Sequence, residues 1–423
     1  MKMNVVTLLK DRGLFEDMTS PDLPNVLESP CTVYAGFDPS SDSLQAGNYV
    51  TIMVLRHFQR CGHKVIALVG GATGMIGDPS GKDAERDLLD EETVIRNTEG
   101  IRENLSRFLD FDHPTAPAKL VNNMDWLGEY GFIPFLRDVG KHFRMGAMLG
   151  RESVQRRLAG DSGMSYTEFS YQMLQAYDFL ELRNREECTI QVGGSDQWGN
   201  ITAGIELIRR LNGKAAYGLT VPLICDNQGQ KFGKSEGNAM FLDASKTSQY
   251  DFYQFFLRSE DADVIRFLKV FTEVPLGDID ALAEEHGSHP ERRVAHKRLA
   301  EEMTRAVHGE AGLSMAQAAT GVLFGESMQG LKAEQLLGIF ADVPSCELAR
   351  DDVSGQNILD VALRSGLCKS KGDARRLIQN GGLYLNNDRV SGVEQSVSDS
   401  DIIDGCLLVL KSGKRNYRLV RIS

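Results

Sequence analysis

Residues 31–71 read CTVYAGFDPSSDSLQAGNYVTIMVLRHFQRCGHKVIALVGG, and the order of patterns within them decides the fold. "CTVYAGFD" (31–38) reads as a buried strand. Val50, Met53, Val54, Phe58 and Cys61 follow at helical spacing, and "KVIALVGG" (64–71) is a continuous apolar run. Strand, helix and buried strand in that order make a βαβ unit with a parallel sheet, because a parallel strand covered on both faces loses its polar alternation. Between the first strand and the helix stands "DPSSDSLQAGNY" (38–49), rich in turn formers. A loop that opens a helix after a strand attracts anions through free N–H groups and the helix dipole. Yet this one has no G-x-G-x-x-G, no G-x-x-x-x-G-K-[ST], and no Lys, Arg or His.

The pattern extends outward from there. Val94, Thr98, Ile101, Leu105 and Phe108 mark a helix over 90–109, and "AKLVNN" (118–123) a third strand. Residues 132–182 are helical, with Ser165 and Glu168 spaced as a capping box for the last helix. "CTIQV" (188–192) is a strand, Ile201, Ile205 and Ile208 mark a helix, and "LTVPLIC" (219–225) is a further strand. Residues 246–325 are helical, with core aromatics at Tyr250, Phe252, Tyr253, Phe255 and Phe256. Composition shifts over 325–354, and 355–423 forms a small mixed pattern ending in the hairpin "GCLLVLKSGKRNYRLVRI" (405–422). In open parallel sheets, ligands bind outside the carboxyl ends of the strands. The exit loops Gly36–Ser40, Gly70–Asp78, Gly193–Gln197 and Lys231–Ser235 therefore converge on one crevice.

Bulk properties narrow the class. At 423 residues, 42% hydrophobic and 25% charged, the chain has the composition of a globular protein of several domains. No run approaches the roughly 18 apolar residues of a membrane span, and the start carries no signal-peptide pattern. The seven cysteines are scattered without a CxxC pair, which fits reduced thiols in cytoplasm better than disulfides or zinc. A net charge of −12 argues against nonspecific nucleic-acid binding by the whole surface. Residues 355–423, however, hold 4 Lys and 7 Arg against 6 Asp and 1 Glu, so this segment is +4 and the rest −16. A basic tail on an acidic body points to a localised polyanion partner.

Three constellations carry chemistry. "LVGGATGMIGDPSGKDAER" (68–86) is a glycine-rich loop whose Lys82 and Arg86, four apart, suit phosphate oxygens. On the helix 165–182, Tyr171, Gln175 and Asp178 share one face opposite Phe169, Met173, Ala176 and Leu180. Asp178 is the only charge between 169 and 180, and a lone carboxylate on a mostly buried helix needs donors, so this stripe suits a small polar ligand. In "KFGKS" (231–235), Lys231, Lys234 and Ser235 suit the developing charge of a leaving pyrophosphate.

The runs "YAGFDPSSDSL", "ALVGGATGMIGDPSGKDAER", "SYTEFSYQMLQAYDF", "GGSDQWGNI" and "KFGKSEG" resemble the bacterial tyrosyl-tRNA synthetases of class I, over nearly the whole chain. "KFGKS" stands for the family's lysine loop, usually written KMSKS. "QAGN" (45–48) stands where HIGH usually stands and departs from it at both histidines, and Ala35 replaces a common cysteine. Gln45 and Asn48 still offer amide N–H donors, without the option of a positive charge.

The resemblance implies a Rossmann-like parallel-sheet α/β catalytic domain over 1–235, with a helical insertion near 125–160. An α-helical anticodon-side domain follows over 236–330, then a linker over 331–354 and an alpha-L type α+β RNA-binding domain over 355–423. It implies a tyrosine–tRNA ligase that uses L-tyrosine, ATP with Mg2+, and tRNA(Tyr), acts in the cytoplasm as a homodimer, and has no membrane partner. No carboxylate cluster marks a metal site built by the protein. Tyr34 and Asp178 would face the phenolic hydroxyl, and Asp78, Tyr171 and Gln175 the ammonium group. Gly36, Asp38, Gly47, Gly194, Asp196 and Gln197 would line the adenylate, Gln197 belonging also to the tyrosine set. Gln45, Asn48, Lys82, Arg86, Lys231, Lys234 and Ser235 would face phosphates, and Lys369, Lys371, Arg375 and Arg376 the tRNA. A catalytically silent RNA-binding relative is the alternative that "QAGN" favours. A tryptophan-type synthetase or a nucleotidyl transferase would not need Tyr34 paired with Asp178.

Overall fold

All five strands read from 31–225 form in the computed structural model, joined by a two-residue edge strand that the sequence does not announce. The structure describes residues 4–81, 88–160, 163–227, 229, 232–235, 238–340, 343–413 and 416–423, with backbone alone at 152, 153, 234, 235 and 238. The chain divides into two compact units: residues 1–248 with 254–307, and residues 249–253 with 308–423.

In the first unit the strands are β1 (Asp17–Met18), β2 (Thr32–Phe37), β3 (Lys64–Val69), β4 (Ala118–Asn122), β5 (Ile190–Gly194) and β6 (Tyr217–Val221). They form one sheet in the order β1-β6-β5-β2-β3-β4. Tyr34 of β2 is in register with Ile66 of β3 and Gln191 of β5, both parallel, and only the β1–β6 pairing is antiparallel. From β2 the chain winds outward to β3 and β4, then crosses back to β5 and β6 on the other side. The direction of winding therefore switches between β2 and β5, where such sheets open a ligand crevice at the carboxyl ends of the strands. β6 ends at Val221, earlier than the expected 225, because Pro222 has no N–H for the ladder.

Helices α1 (Tyr49–Arg60), α2 (Glu91–Phe108), α3 (Tyr166–Arg185) and α4 (Trp198–Asn212) cover this sheet. The apolar face expected for α2 is buried throughout, from Val94 to Phe108. Asp90 caps α2 by accepting from Thr93 N at 2.7 Å, and Ser165 caps α3 by accepting from Glu168 N at 3.2 Å. The Glu168 carboxylate is taken by Arg157, with Nη2 to Oε2 at 2.8 Å and both side chains almost fully buried. That pair ties the helix Glu152–Ala159 to the first turn of α3. A short hairpin, β7 (Lys234–Ser235) and β8 (Asn238–Ala239), follows β6 where the sequence suggested a loop. Phe232 anchors it, its ring 4.4 Å from that of Phe271 and 4.8 Å from that of Phe267.

The second unit is built on β9 (Ser345–Leu348), β10 (Leu383–Leu385), β11 (Asp388–Arg389), β12 (Leu407–Ser412) and β13 (Asn416–Ile422), ordered β11-β10-β12-β13-β9. Leu408 and Leu410 of β12 pack on one face with Ile358, Val361 and Leu383, while Leu407 and Val409 pack on the other with Leu336 and Phe340. Burial on both faces explains the unbroken apolar run of β12. The segment 331–354, expected as a linker, is thus part of this core. Its helix Ala333–Ile339 supplies Leu336, and β9 pairs in parallel with β13. The helical segment expected over 236–330 is divided between the two units.

Candidate active site

The exits of β2 and β5 bring the predicted polar residues together. Gly36 is exposed while Ala35 and Phe37 on either side are buried, so the central strand presents a bare backbone to the crevice. A Cβ on Gly70 would lie 2.2 Å from Asp38 Oδ1, and one on Gly74 2.7 Å from Pro39 Cδ. Only glycine lets the loop after β3 lie against the loop after β2.

Two polar networks line the floor. In the first, Tyr171 Oη donates to Asp38 Oδ2 at 2.7 Å, and Thr73 Oγ1 donates to Asp38 Oδ1 at 2.8 Å. Asn123 Nδ2 donates to Thr73 Oγ1 at 2.9 Å and to Asp178 Oδ2 at 3.0 Å, while Trp126 Nε1 donates to Asp178 Oδ1 at 2.7 Å. In the second, Asn200 Nδ2 donates to Gln175 Oε1 at 2.9 Å and Gln197 Nε2 donates to Asp78 Oδ2 at 2.7 Å. Ser80 N–H holds the other Asp78 oxygen at 2.9 Å.

Electrostatics follow from burial. Asp178 is fully buried, and desolvation pushes its pKa up from 3.8 to about 8, against the pull of its two donors. Tyr34 lies within the field of Asp178, and burial first and that carboxylate second raise its pKa well above the usual range. Tyr34 Oη is buried with no hydrogen-bond partner, and its ring packs on Phe179 at 5.2 Å. Tyr171 is raised in the same way by burial, then by Asp38 and Asp78.

The "QAGN" turn has a defined orientation. Asn48 Oδ1 accepts from Gln45 N–H at 3.0 Å; because a backbone N–H only donates, the acceptor is the oxygen, which leaves the Nδ2 donors of this exposed side chain for another partner. Asn48 and Gly47 are exposed and Gln45 is half-buried, its backbone bridged to Phe241. A Cβ on Gly47 would stand 3.4 Å from Phe232 O, so this turn and the lysine loop are neighbours. Gly194 and Asp196 stand at the β5 exit, and Asp196 lines a cavity of about 610 Å3 together with Ser80, Gly81 and Asn200. Lys82, Arg86 and Lys231 lie outside the described residues. Lys234 and Ser235 are placed by backbone alone.

In the second unit Lys369, Lys371, Arg375 and Arg376 are all exposed. Lys371 pairs with Asp360 and Arg376 with Asp373, whereas Lys369 and Arg375 have no ion-pair partner among the described residues.

Four residues of the floor escape a reading by charge: Thr73, Asn123, Trp126 and Asn200. Asn123 follows β4, so the strand-exit rule applied to that strand would have found it. Trp126 is one of only two tryptophans in the chain. Among the described residues, the one His and Asp group with metal-ligand spacing is Asp261, His286 and His296, none of which belongs to these networks.

Comparison with known proteins identifies the family. Residues 27–325 match the family described as tRNA synthetases class I (W and Y), and residues 335–420 match the tyrosine–tRNA ligase SYY-like C-terminal domain. The chain is 48% identical to the tyrosine–tRNA ligase of Protochlamydia amoebophila over 422 residues, 99% of either chain. It is 48% identical to that of Roseiflexus castenholzii over 417 residues, 98% of either chain. A C-terminally truncated mitochondrial tyrosyl-tRNA synthetase from Aspergillus nidulans superposes with a TM-score of 0.67 at 32% identity, covering 76% of this chain and 94% of that one. The tyrosyl-tRNA synthetase of Archaeoglobus fulgidus, complexed with L-tyrosine, shares the fold at 16% identity, with a TM-score of 0.54 over 73% of this chain and 99% of that one. No helix among the described residues is long and apolar enough to cross a membrane. The chain belongs to the tyrosine–tRNA ligases, within the tryptophan- and tyrosine-type class I tRNA synthetases.

Proposed function

We propose that this crevice activates L-tyrosine with ATP and that the second unit helps present tRNA(Tyr) for charging. The tyrosine carboxylate attacks the α-phosphorus of ATP, the bond to the bridging oxygen breaks, and pyrophosphate leaves. The tyrosyl group then passes to the 3′-terminal adenosine of the tRNA. No protein nucleophile is required, since orientation and charge stabilisation suffice.

The observation that carries the tyrosine assignment is the unpartnered, buried Tyr34 hydroxyl in the field of Asp178. A buried polar group without a partner is costly, and a ligand phenol would supply the missing hydrogen bond. Asp178, with one donor on each oxygen, keeps acceptor capacity for the same phenol. Asp78, Tyr171 and Gln175 would surround the ammonium group. Gly36, Asp38, Gly47, Gly194, Asp196 and Gln197 would line the adenylate.

We assign the phosphates to Lys82, Arg86, Lys231, Lys234 and Ser235, with Gln45 and the Nδ2 amide of Asn48 as neutral donors. ATP enters as its Mg2+ complex, the ion carried on the substrate's phosphates. Lys369 and Arg375 are available for tRNA phosphates, while Lys371 and Arg376 would first have to leave their carboxylates. A homodimer through 125–160 would cover Phe132, Ile133, Met145, Leu149 and Leu158, which are exposed apolar residues of that insertion. The enzyme would act in the cytoplasm, where its seven free cysteines stay reduced.

Tyr34→Phe tests the assignment. Removing an unpartnered buried hydroxyl leaves the free protein as stable as before or slightly more so. It should also cut the preference for tyrosine over phenylalanine in pyrophosphate exchange by up to about tenfold, the scale of one neutral hydrogen bond. An unchanged preference would remove Tyr34 from the amino-acid pocket.

A further inference from the structure

Outside the crevice, three segments of the first unit bring two histidines and a carboxylate together. Asp261 stands in the connection before the helix Val264–Phe271, His286 in the last turns of α5 (Leu276–Ser288), and His296 in the first turn of the helical run beginning at Val294. One ligand atom from each lies within 4.8 Å of the others. His296 Nε2 is 3.2 Å from Asp261 Oδ1, and His286 Nε2 is 3.9 Å from that oxygen. From these positions we propose that Asp261, His286 and His296 bind one divalent transition-metal ion, Zn2+ by preference, with water in the fourth position.

The distances fit the ion. Zn–N and Zn–O bonds of about 2.0–2.1 Å in a tetrahedron set donor atoms roughly 3.3 Å apart. The His296–Asp261 separation already has that value, and the 3.9 Å separation closes with a small turn of an exposed side chain, since Asp261 is 60% exposed. The donor set also fits, as imidazole with carboxylate suits Zn2+ better than Mg2+ or Ca2+.

The second observation is the state of His296. It is fully buried with the Ser259 backbone beside its ring, and Nε2 has no hydrogen-bond partner although it faces the carboxylate. A buried imidazole nitrogen turned toward a carboxylate oxygen, out of line for a hydrogen bond, is an arrangement that a cation between them would satisfy. His286 Nδ1 is likewise buried without a partner, while its Nε2 lies 3.2 Å from the Asp261 carbonyl oxygen, a hydrogen bond that the ion would replace. The Arg293 guanidinium opposes any cation, but its Nη2 is engaged by the carbonyl of Leu257 at 2.7 Å. Asp261 provides the path from solvent, and the ion would join three segments that no cysteine links. The separations in sequence, 25 and 10 residues, match no compact metal motif, which hides the group from a linear reading.

The test uses the full chain stripped with a chelator and Zn2+ titrated against a chromophoric competitor. One equivalent should bind at micromolar affinity or better, and the thermal midpoint should rise with bound ion. Asp261→Asn should weaken binding by at least about tenfold while leaving the metal-free melting curve and tyrosine activation unchanged, and His286→Ala should weaken it as much with tyrosine activation unchanged. Asp261 is exposed, so its variant keeps the test decisive even if a change at buried His296 prevents folding. Co2+ in place of Zn2+ should give four-coordinate ligand-field bands without thiolate charge-transfer absorption. Absence of Zn2+ binding, equal binding by the variants, or a thiolate band would each overturn the assignment.

Discussion

Replacing Asp178 by asparagine should change how the stability of the first unit depends on pH. Asp178 is 2% exposed, and burial raises its pKa from 3.8 to about 8. A carboxyl whose folded pKa lies above its unfolded value holds its proton more tightly in the folded protein. Its stabilising contribution is therefore complete below pH 4 and is lost as pH rises through about 8. The slope inside that window is about 1.4 kcal/mol per pH unit, so from pH 5 to pH 8 the wild type loses about 4 kcal/mol from this group. Asparagine does not titrate. It turns an NH2 toward one of the two donors, Trp126 Nε1 or Asn123 Nδ2, at a fixed cost of about 1–3 kcal/mol. The wild type should therefore lead the variant at pH 5 and surrender that lead steadily toward pH 8. Urea unfolding followed by tryptophan fluorescence measures this, because Trp126 and Trp198 both lie in the first unit. His57 and His296, held near 4 by burial, titrate equally in both proteins and cancel in the difference. A gap that stays constant from pH 5 to 8 would refute the reasoning and put Asp178 in a hydrated pocket.

Three further outcomes follow, two from the turn at 45–48 and one from the second unit. Replacing Gln45 and Asn48 by histidine should leave an active enzyme whose activation rate gains a pH dependence near the imidazole pKa of about 6.5. Replacing both by alanine should cost about 1–3 kcal/mol of transition-state stabilisation, read from single-turnover adenylate formation. Wild-type speed in the alanine pair would reduce "QAGN" to a helix-opening turn. The double change Lys369→Ala and Arg375→Ala should spare adenylate formation and lower the log–log salt slope of tRNA binding by about two. An unchanged slope would take this face of the second unit away from the tRNA.

The sequence made the central sheet legible because parallel strands buried on both faces appear as apolar runs, as in 64–69. It did not announce β1, where two residues pair with β6 and carry no pattern of their own. The stretch 331–354 looked like a linker because Leu336 and Phe340 gain a core only against Leu407 and Val409, some seventy residues later. In the crevice, Asp178 stood out as a single charge on an apolar helix. Its donors did not, since Asn123 and Trp126 are neutral and their importance depends on how deeply the carboxylate is buried. Tyr34 could be named from the family pattern, but its unmet hydrogen bond is visible only in three dimensions.

The most direct test of the central claim is exchange of labelled pyrophosphate into ATP by the full chain, with tyrosine, phenylalanine or tryptophan as the amino acid. If Tyr34 and Asp178 form a phenol site beside a working phosphate crevice, exchange will depend on tyrosine and be far weaker with phenylalanine, which leaves the buried Tyr34 hydroxyl unpaired and brings Asp178 no phenol. No exchange with any amino acid would mean that the loss of both histidines at "QAGN" has silenced the site. Equal exchange with phenylalanine would contradict the assignment of the pocket.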